Sequence, residues 1–195
     1  MEQRDRERAL FRFTSGSCNI LVSTDLASRG LDIPELDNVV HYHLPLNAEV
    51  LVHRNGRTAR WDREGRSFLI VGPEESLQSL GPLPALHEVT DVRDLADSAQ
   101  GPDDERPSAG RGSSVVPPIW DCLYIGKGKK DKLSRGDIAG FLMKVGGLDR
   151  ADVGRIEVRE HQSYVAVRRS CVSATLPRLR GQKIKGMKTI IERIR

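Results

Sequence analysis

Residues 53–65 read HRNGRTARWDREG and carry Arg54, Arg57 and Arg60 at a repeat of three. A guanidinium is planar, always charged and holds several donors in a fixed fork, which suits the oxygens of a phosphate chain. Two readings fit these residues alone: a phosphate clamp, or a solvated helix face with structural salt bridges. Lysine is distributed quite differently, for all eight lysines lie between Lys127 and Lys188. Lys127, Lys129, Lys130 and Lys132, with Arg135, surround a glycine-bearing turn in KGKKDKLSRGD. Lys183, Lys185 and Lys188 follow in GQKIKGMK. A glycine-rich turn edged by lysines and opening into a helix is a candidate phosphate-binding edge. A nucleotide-cradling loop of the form GxxxxGK followed by Ser or Thr occurs nowhere in the sequence. Cys18, Cys122 and Cys171 stand far apart, with no zinc-type spacing, and read as reduced, partly buried thiols of a cytosolic protein.

These groups need elements to position them. The chain has 195 residues, 38% hydrophobic and 30% charged, which suggests small cores plus polar linker. The net charge of +4 hides a split. Residues 1–117 carry 13 Arg against 19 Asp and Glu, a net of −6, and residues 118–195 carry 18 Lys and Arg against 8, a net of +10. A compact segment that basic favours a polyanion such as nucleic acid over a merely solvated surface. No apolar run is long enough to span a bilayer, and the charged N-terminus, MEQRDRERALFRF, does not read as a signal peptide, so the expected location is cytoplasmic with no membrane partner. Residues 97–118, DSAQGPDDERPSAGRGSSVVPP, read as a flexible linker. The expected organisation is therefore a first domain over 1–95, a linker over 96–117 and a second domain over 118–195.

In the first domain, QRDRERALFRF reads as a helix with Ala9, Leu10 and Phe13 on one side. NILVS (19–23), NVVHYH (38–43) and SFLIV (67–71) read as short strands buried on both faces, with a helix over AEVLVHRNGRTAR. That is an α/β pattern around a parallel sheet. In the second domain the order is strand (DCLYIGKG), helix (SRGDIAGFLMKVG), strand (RIEVRE), strand (SYVAVRR), helix (SATLPRLRG), strand (MKTIIERIR). This β-α-β-β-α-β order is the α+β ferredoxin-like topology of RRM domains. Ser134 is expected to cap the first of these helices, with Asp137 in its first turn and Gly146–Gly147 stopping it. Pro177 makes a helix over its segment hard to accommodate.

QRDR (3–6), then STDLASRGLDIP (23–34), then HRNGRTAR (53–60) come in order. Together they resemble QxxR, TDVAARGLDIP and HRIGRTAR of the second RecA-like domain of DEAD-box RNA helicases. KGKKDKLSRGDIAGFL and GQKIKG resemble the C-terminal RNA-binding domain of the DbpA type. The resemblance implies an ATP-dependent RNA helicase of which this chain holds a partial second RecA-like domain and the RNA-binding domain. In it Arg57 and Arg60 would be the catalytic γ-phosphate ligands and Asp32 would accept from the ATP ribose. His53 and Arg54 would couple the nucleotide site to RNA, and Thr24, Arg29 and Gly30 would meet the RNA backbone. Arg fingers contribute on the order of 10³–10⁵ in rate in other phosphoryl-transfer systems.

Among the partners, the resemblance implies structured RNA, large-subunit ribosomal RNA in particular, held by the lysines named above. It also implies a missing N-terminal RecA-like domain bearing the phosphate loop and the DEAD sequence. ATP with Mg²⁺ would then be a cofactor of the complete enzyme only and would not be bound by this chain alone. Tyr124, in LYIGKG, would stack on a base as in ordinary RRMs, although Ala166 stands where a second aromatic is usual. Alternatively, Tyr124 and Tyr164 are rings packed beside the core. SAT at 173–175 also spells a helicase motif but lies out of order. Asn55, His41, His43, Trp61 and Asp62 depart from the family pattern. A non-enzymatic RNA-binding protein is the second reading.

Overall fold

The computed structural model describes residues 2–24, 33, 36–56, 58, 65–81 and 116–194. It divides the chain into two compact units, Met1–Thr24 with Val116–Arg195, and Asp25–Val115. The opening helix of the expected first domain thus packs with the C-terminal segment.

The C-terminal segment is built on one antiparallel sheet of β3 (Trp120–Ile125), β4 (Val153–Val158), β5 (Ser163–Arg168) and β8 (Ile191–Ile194), in the order β4-β5-β3-β8. Two helices, α3 (Arg135–Lys144) and α4 (Arg169–Leu179), complete the ferredoxin-like order expected from the sequence. Alternation along the strands sends Leu123, Ile125, Val165, Val167 and Ile191 to one face, where they pack with Ile138, Phe141 and Leu142 of α3 and Val172 and Leu179 of α4. This is the main apolar cluster among the described residues.

α3 starts as the sequence predicts. Ser134 Oγ accepts from the Asp137 amide at 3.2 Å, and Asp137 Oδ2 accepts from the Ser134 amide at 2.9 Å, a reciprocal capping box. It stops at Gly146–Gly147, where Gly147 takes φ +71° and a Cβ on Gly146 would strike the Leu142 carbonyl.

Three expectations for this segment are corrected. β4 begins at Val153, two residues early, and a register shift between Val153 and Ile156 absorbs the difference. α4 begins at Arg169 and runs through Pro177. The proline sits two residues from the helix end, so it forfeits only one late backbone bond, while Val172, Thr175 and Leu179 stay buried. The last expected strand is split: Met187–Lys188 (β7) pairs in a tight hairpin with Lys183–Ile184 (β6), and only β8 joins the sheet.

α1 (Gln3–Thr14) lies on the opposite face of this sheet. Its buried anchor is Phe11; Ala9, Leu10 and Phe13, the expected apolar side, are only half-buried. The surface it meets presents tyrosine rings and an arginine, which select a stripe of mixed polarity over a purely apolar one.

In the second unit, β1 (Asn38–His41) and β2 (Arg66–Leu69) pair in parallel, and α2 (Ala48–Asn55) connects them. Asn47 caps α2 by accepting from the Val50 amide at 2.9 Å. The parallel pair is as expected, but burial on both faces is not: Val40 and Phe68 are 59% and 45% exposed, for among the described residues only these two strands make the sheet. The third expected strand, NILVS, is not a strand; Ile20 and Val22 are 69% and 91% exposed.

Candidate nucleic-acid interface

The lysine-bearing loop between β3 and α3 is held from beneath. Lys129 and Lys130 donate their amides to the carbonyls of Arg159 and Glu160, at 2.7 and 3.0 Å, and Ser163 Oγ donates to the Lys127 carbonyl at 2.7 Å. Gly128 is required here, because a Cβ at this position would strike the Arg159 and Glu160 carbonyls and the Gln162 amide. Asp131 closes the loop, accepting from Lys127 Nζ at 2.8 Å and the Gly128 amide at 3.1 Å. The Lys127 hydrogen bond first, and the Gly128 amide second, hold the Asp131 carboxyl below the usual carboxylate range. The loop therefore presents Lys129, Lys130 and Lys132 to solvent from a fixed backbone.

The second lysine group is brought beside the first. Lys185 Nζ donates to the Lys132 carbonyl at 2.9 Å and to Asp137 Oδ2 at 3.1 Å, across 53 and 48 positions of sequence. Ser134 first, then Lys185, keep the Asp137 carboxyl below its ordinary range. Lys132 and Lys185 both take left-handed backbone, φ 57° and 51°, a region non-glycine residues seldom occupy. Lys127 and Lys188 line one open concavity of about 430 Å³ with Gly126, Gly181, Thr189 and Ile190. The hairpin β6–β7 thus carries Lys185 to one side of the loop and Lys188 to the other. Arg135, Lys183 and Lys188 are exposed. Two groups separated by some fifty residues form one basic edge, the arrangement that tracks a phosphate backbone.

Tyr124 lies on the far face of the sheet from the apolar cluster, directly across from Tyr164 on β5. It is half-buried and is not open to solvent as a free stacking platform, for the Arg4 and Arg8 guanidinia of α1 stand over its ring at 5.1 and 5.4 Å. Tyr164 is fully buried against Phe11.

The candidate nucleotide-site residues Asp32, Arg57 and Arg60, and the candidate RNA-backbone residues Arg29 and Gly30, lie outside the described residues. Thr24 is exposed. His53 points along the exposed side of α2, 3.8 Å from Glu49, and Arg54 Nη1 donates to the His43 carbonyl at 3.1 Å. In the sequence, His41 and Asn55 are separate departures from the family pattern. The structure joins them: His41 Nε2 lies 2.9 Å from Asn55 Oδ1 and 3.0 Å from Ser67 Oγ, and Ser67 Oγ donates to Asn55 Oδ1 at 2.7 Å. The signal was present as two polar substitutions at positions that usually hold other residue types. Among the described residues no group of His, Cys, Asp and Glu could hold a metal ion, and no helix is long and apolar enough to cross a membrane.

Comparison with known proteins matches residues 1–62 to the helicase conserved C-terminal domain and residues 122–193 to the DbpA RNA-binding domain. The chain is similar to the ATP-dependent RNA helicase DbpA of Escherichia coli, 38% identical over 95% of this chain and 38% of that protein. It is 51% identical to the ATP-dependent RNA helicase MAK5 of Gibberella zeae over 40% of this chain and 10% of that protein. It is 49% identical to the mitochondrial DEAD-box ATP-dependent RNA helicase 9 of Arabidopsis thaliana over 39% of this chain and 12% of that protein. The chain thus spans well under half the length of each of these relatives. Carrying the helicase C-terminal sequence and the DbpA RNA-binding domain together, it belongs to the DEAD-box RNA helicases of the DbpA type.

Proposed function

We propose that this chain binds structured RNA through the basic edge formed by the β3–α3 loop and the β6–β7 hairpin, and that the RNA is large-subunit ribosomal RNA. The observation that carries this reading is the Lys185 bridge to the Lys132 carbonyl, which turns two lysine groups into one continuous surface. The match of residues 122–193 to an RNA-binding domain family supports it. Completed by a RecA-like domain bearing the phosphate loop, the protein would remodel short RNA duplexes near that anchor in the cytoplasm, using ATP and Mg²⁺. Asp32, Arg57 and Arg60 would then serve the nucleotide, and His53, Arg54, Thr24, Arg29 and Gly30 would face its coupling to RNA. A second reading is favoured by the lack of GxxxxGK and DEAD in the sequence: by itself the chain is an RNA-binding module without a motor.

The test is binding to a large-subunit rRNA hairpin across a salt series. Alanine at Lys127, Lys129, Lys130 and Lys132 is expected to weaken binding. For every lysine that neutralises a phosphate, its removal should lower the slope of log K against log salt by roughly 0.7–0.9. Lys185→Ala should act in the same direction despite its distance in sequence. Unchanged affinity and slope in the quadruple variant would reject the basic edge as the RNA site.

A further inference from the structure

α1 is claimed twice. By sequence it falls inside the helicase match at residues 1–62, and by packing it belongs to the unit built around the RNA-binding domain. Its contacts there are specific. The Phe11 ring stacks on Tyr164 with centroids 5.4 Å apart and planes 29° from parallel. One turn and two turns earlier, Arg8 and Arg4 lie over Tyr124. Between them Glu7 Oε2 meets Arg159 at 2.5 Å, and Arg159 also holds Glu157 at 2.7 Å. Residues 4, 7, 8 and 11 recur at helical spacing, so one stripe makes all of these contacts. Beyond the helix, Asn19 Nδ2 donates to the Val116 carbonyl at 2.6 Å, tying the segment to the start of the C-terminal portion.

The face beneath that stripe has the makings of a base platform. Tyr124 and Tyr164 are neighbouring rings, 6.0 Å between centroids, on the sheet face turned away from α3 and α4. An arginine plane over a tyrosine ring and a phenylalanine stacked on another occupy the positions that unpaired bases take on aromatic side chains. We propose that α1 is a built-in competitor for this face: docked, it withholds Tyr124 and Tyr164 from RNA, and undocked, it opens a second site for unpaired bases beside the basic edge. The inference rests on the RNA-binding reading above for its ligand class, but the two are tested by different RNAs.

Cys122 supplies the readout of docking. It lies on the same face, fully buried in the cluster with Phe11 and Tyr164, and burial pushes its thiol up to about 12. In the full chain carrying Cys18→Ser and Cys171→Ser, Cys122 is the sole thiol, and its reaction with a soluble disulfide reagent reports α1 directly. Slow reaction is expected in that parent. Glu7→Arg with Phe11→Ala should speed it by an order of magnitude or more. The charge swap Glu7→Arg with Arg159→Glu, with Phe11 intact, should restore protection and show that the variants are folded. The variant with α1 loosened should bind a short oligouridine about tenfold more tightly, the worth of one stacked base. Adding Tyr124→Ala should cancel that gain.

Rapid reaction of Cys122 in the parent overturns the docking. Faster reaction in the loosened variant without a Tyr124-dependent gain in oligouridine affinity overturns the competition. A parent that fails to bind the rRNA hairpin sinks the basic-edge reading alone, and a Tyr124-dependent gain in that case still upholds the competitor.

Discussion

At the scale of single residues, the second unit is held by a hydrogen-bonded group its family pattern would not supply. His41 on β1, Asn55 at the end of α2 and Ser67 on β2 each come from a different element, and His41 is only 2% exposed. A buried imidazole without partners would be costly, and Asn55 Oδ1 and Ser67 Oγ satisfy it. Restoring an apolar residue by Asn55→Leu removes the acceptor shared by His41 and Ser67. The expected destabilisation is about 1–3 kcal/mol, the cost of leaving a buried polar group short of a partner. It should be read locally, as faster hydrogen exchange at the Ile70 amide, which donates to the His41 carbonyl at 3.1 Å, and at the Arg66 amide, bonded to Asp37. Adding Ser67→Ala and His41→Leu should recover part of the stability, because the three groups act as one network. Equal and additive effects would show that the contacts are incidental.

At the scale of elements, what the sequence made legible follows from how local each signal is. The capping box at Ser134 and the glycine stop at Gly146 are written within a few residues of the positions they fix, and both appear where expected. The lysines of the basic edge were legible as residues. Their union was not, since it depends on a hairpin turning Lys185 back on Lys132 across fifty-three positions. α1 forms over the residues expected, but its buried side was not legible for a related reason: its apolar residues suggest one side, while the receiving surface of tyrosines and Arg159 is assembled from distant strands. NILVS failed as a strand because a β-branched run needs neighbouring strands, which no local pattern guarantees.

The loop at Gly128 shows what element geometry adds to charge. Gly128→Ala keeps every lysine yet forces a Cβ against the Arg159 and Glu160 carbonyls, so the loop must lift from the β4–β5 turn. Both thermal stability and rRNA affinity should fall together. Alanine at the exposed Lys129, Lys130 and Lys132 should lower affinity with little change in melting temperature, since exposed charges contribute little to stability. If Gly128→Ala left affinity intact, the fixed backbone would be irrelevant to binding and the lysines alone would suffice.

At the scale of the whole molecule, the proposed reading gives Arg57 and Arg60 to a nucleotide site whose phosphate loop would have to come from another domain. Phosphoryl transfer in P-loop enzymes needs backbone amides and a lysine around the β- and γ-phosphates and a carboxylate on Mg²⁺. The sequence has neither GxxxxGK nor DEAD, so Arg57 and Arg60 would have no positioned phosphate to stabilise. Positioning and charge stabilisation do nearly all the work in this chemistry, and half a site therefore should yield no turnover rather than half the rate. The purified chain is expected to release no phosphate from ATP above background, with or without rRNA, while still binding the rRNA hairpin. Fusing a RecA-like domain that bears both motifs ahead of it should create RNA-stimulated release, and Arg60→Ala in that fusion should lower the rate by roughly 10³ or more. RNA-stimulated hydrolysis by the unfused chain would mean that a phosphate site exists which the missing motifs do not describe. Activity of the fusion that survives Arg60→Ala would remove Arg60 from catalysis while leaving the basic edge untouched.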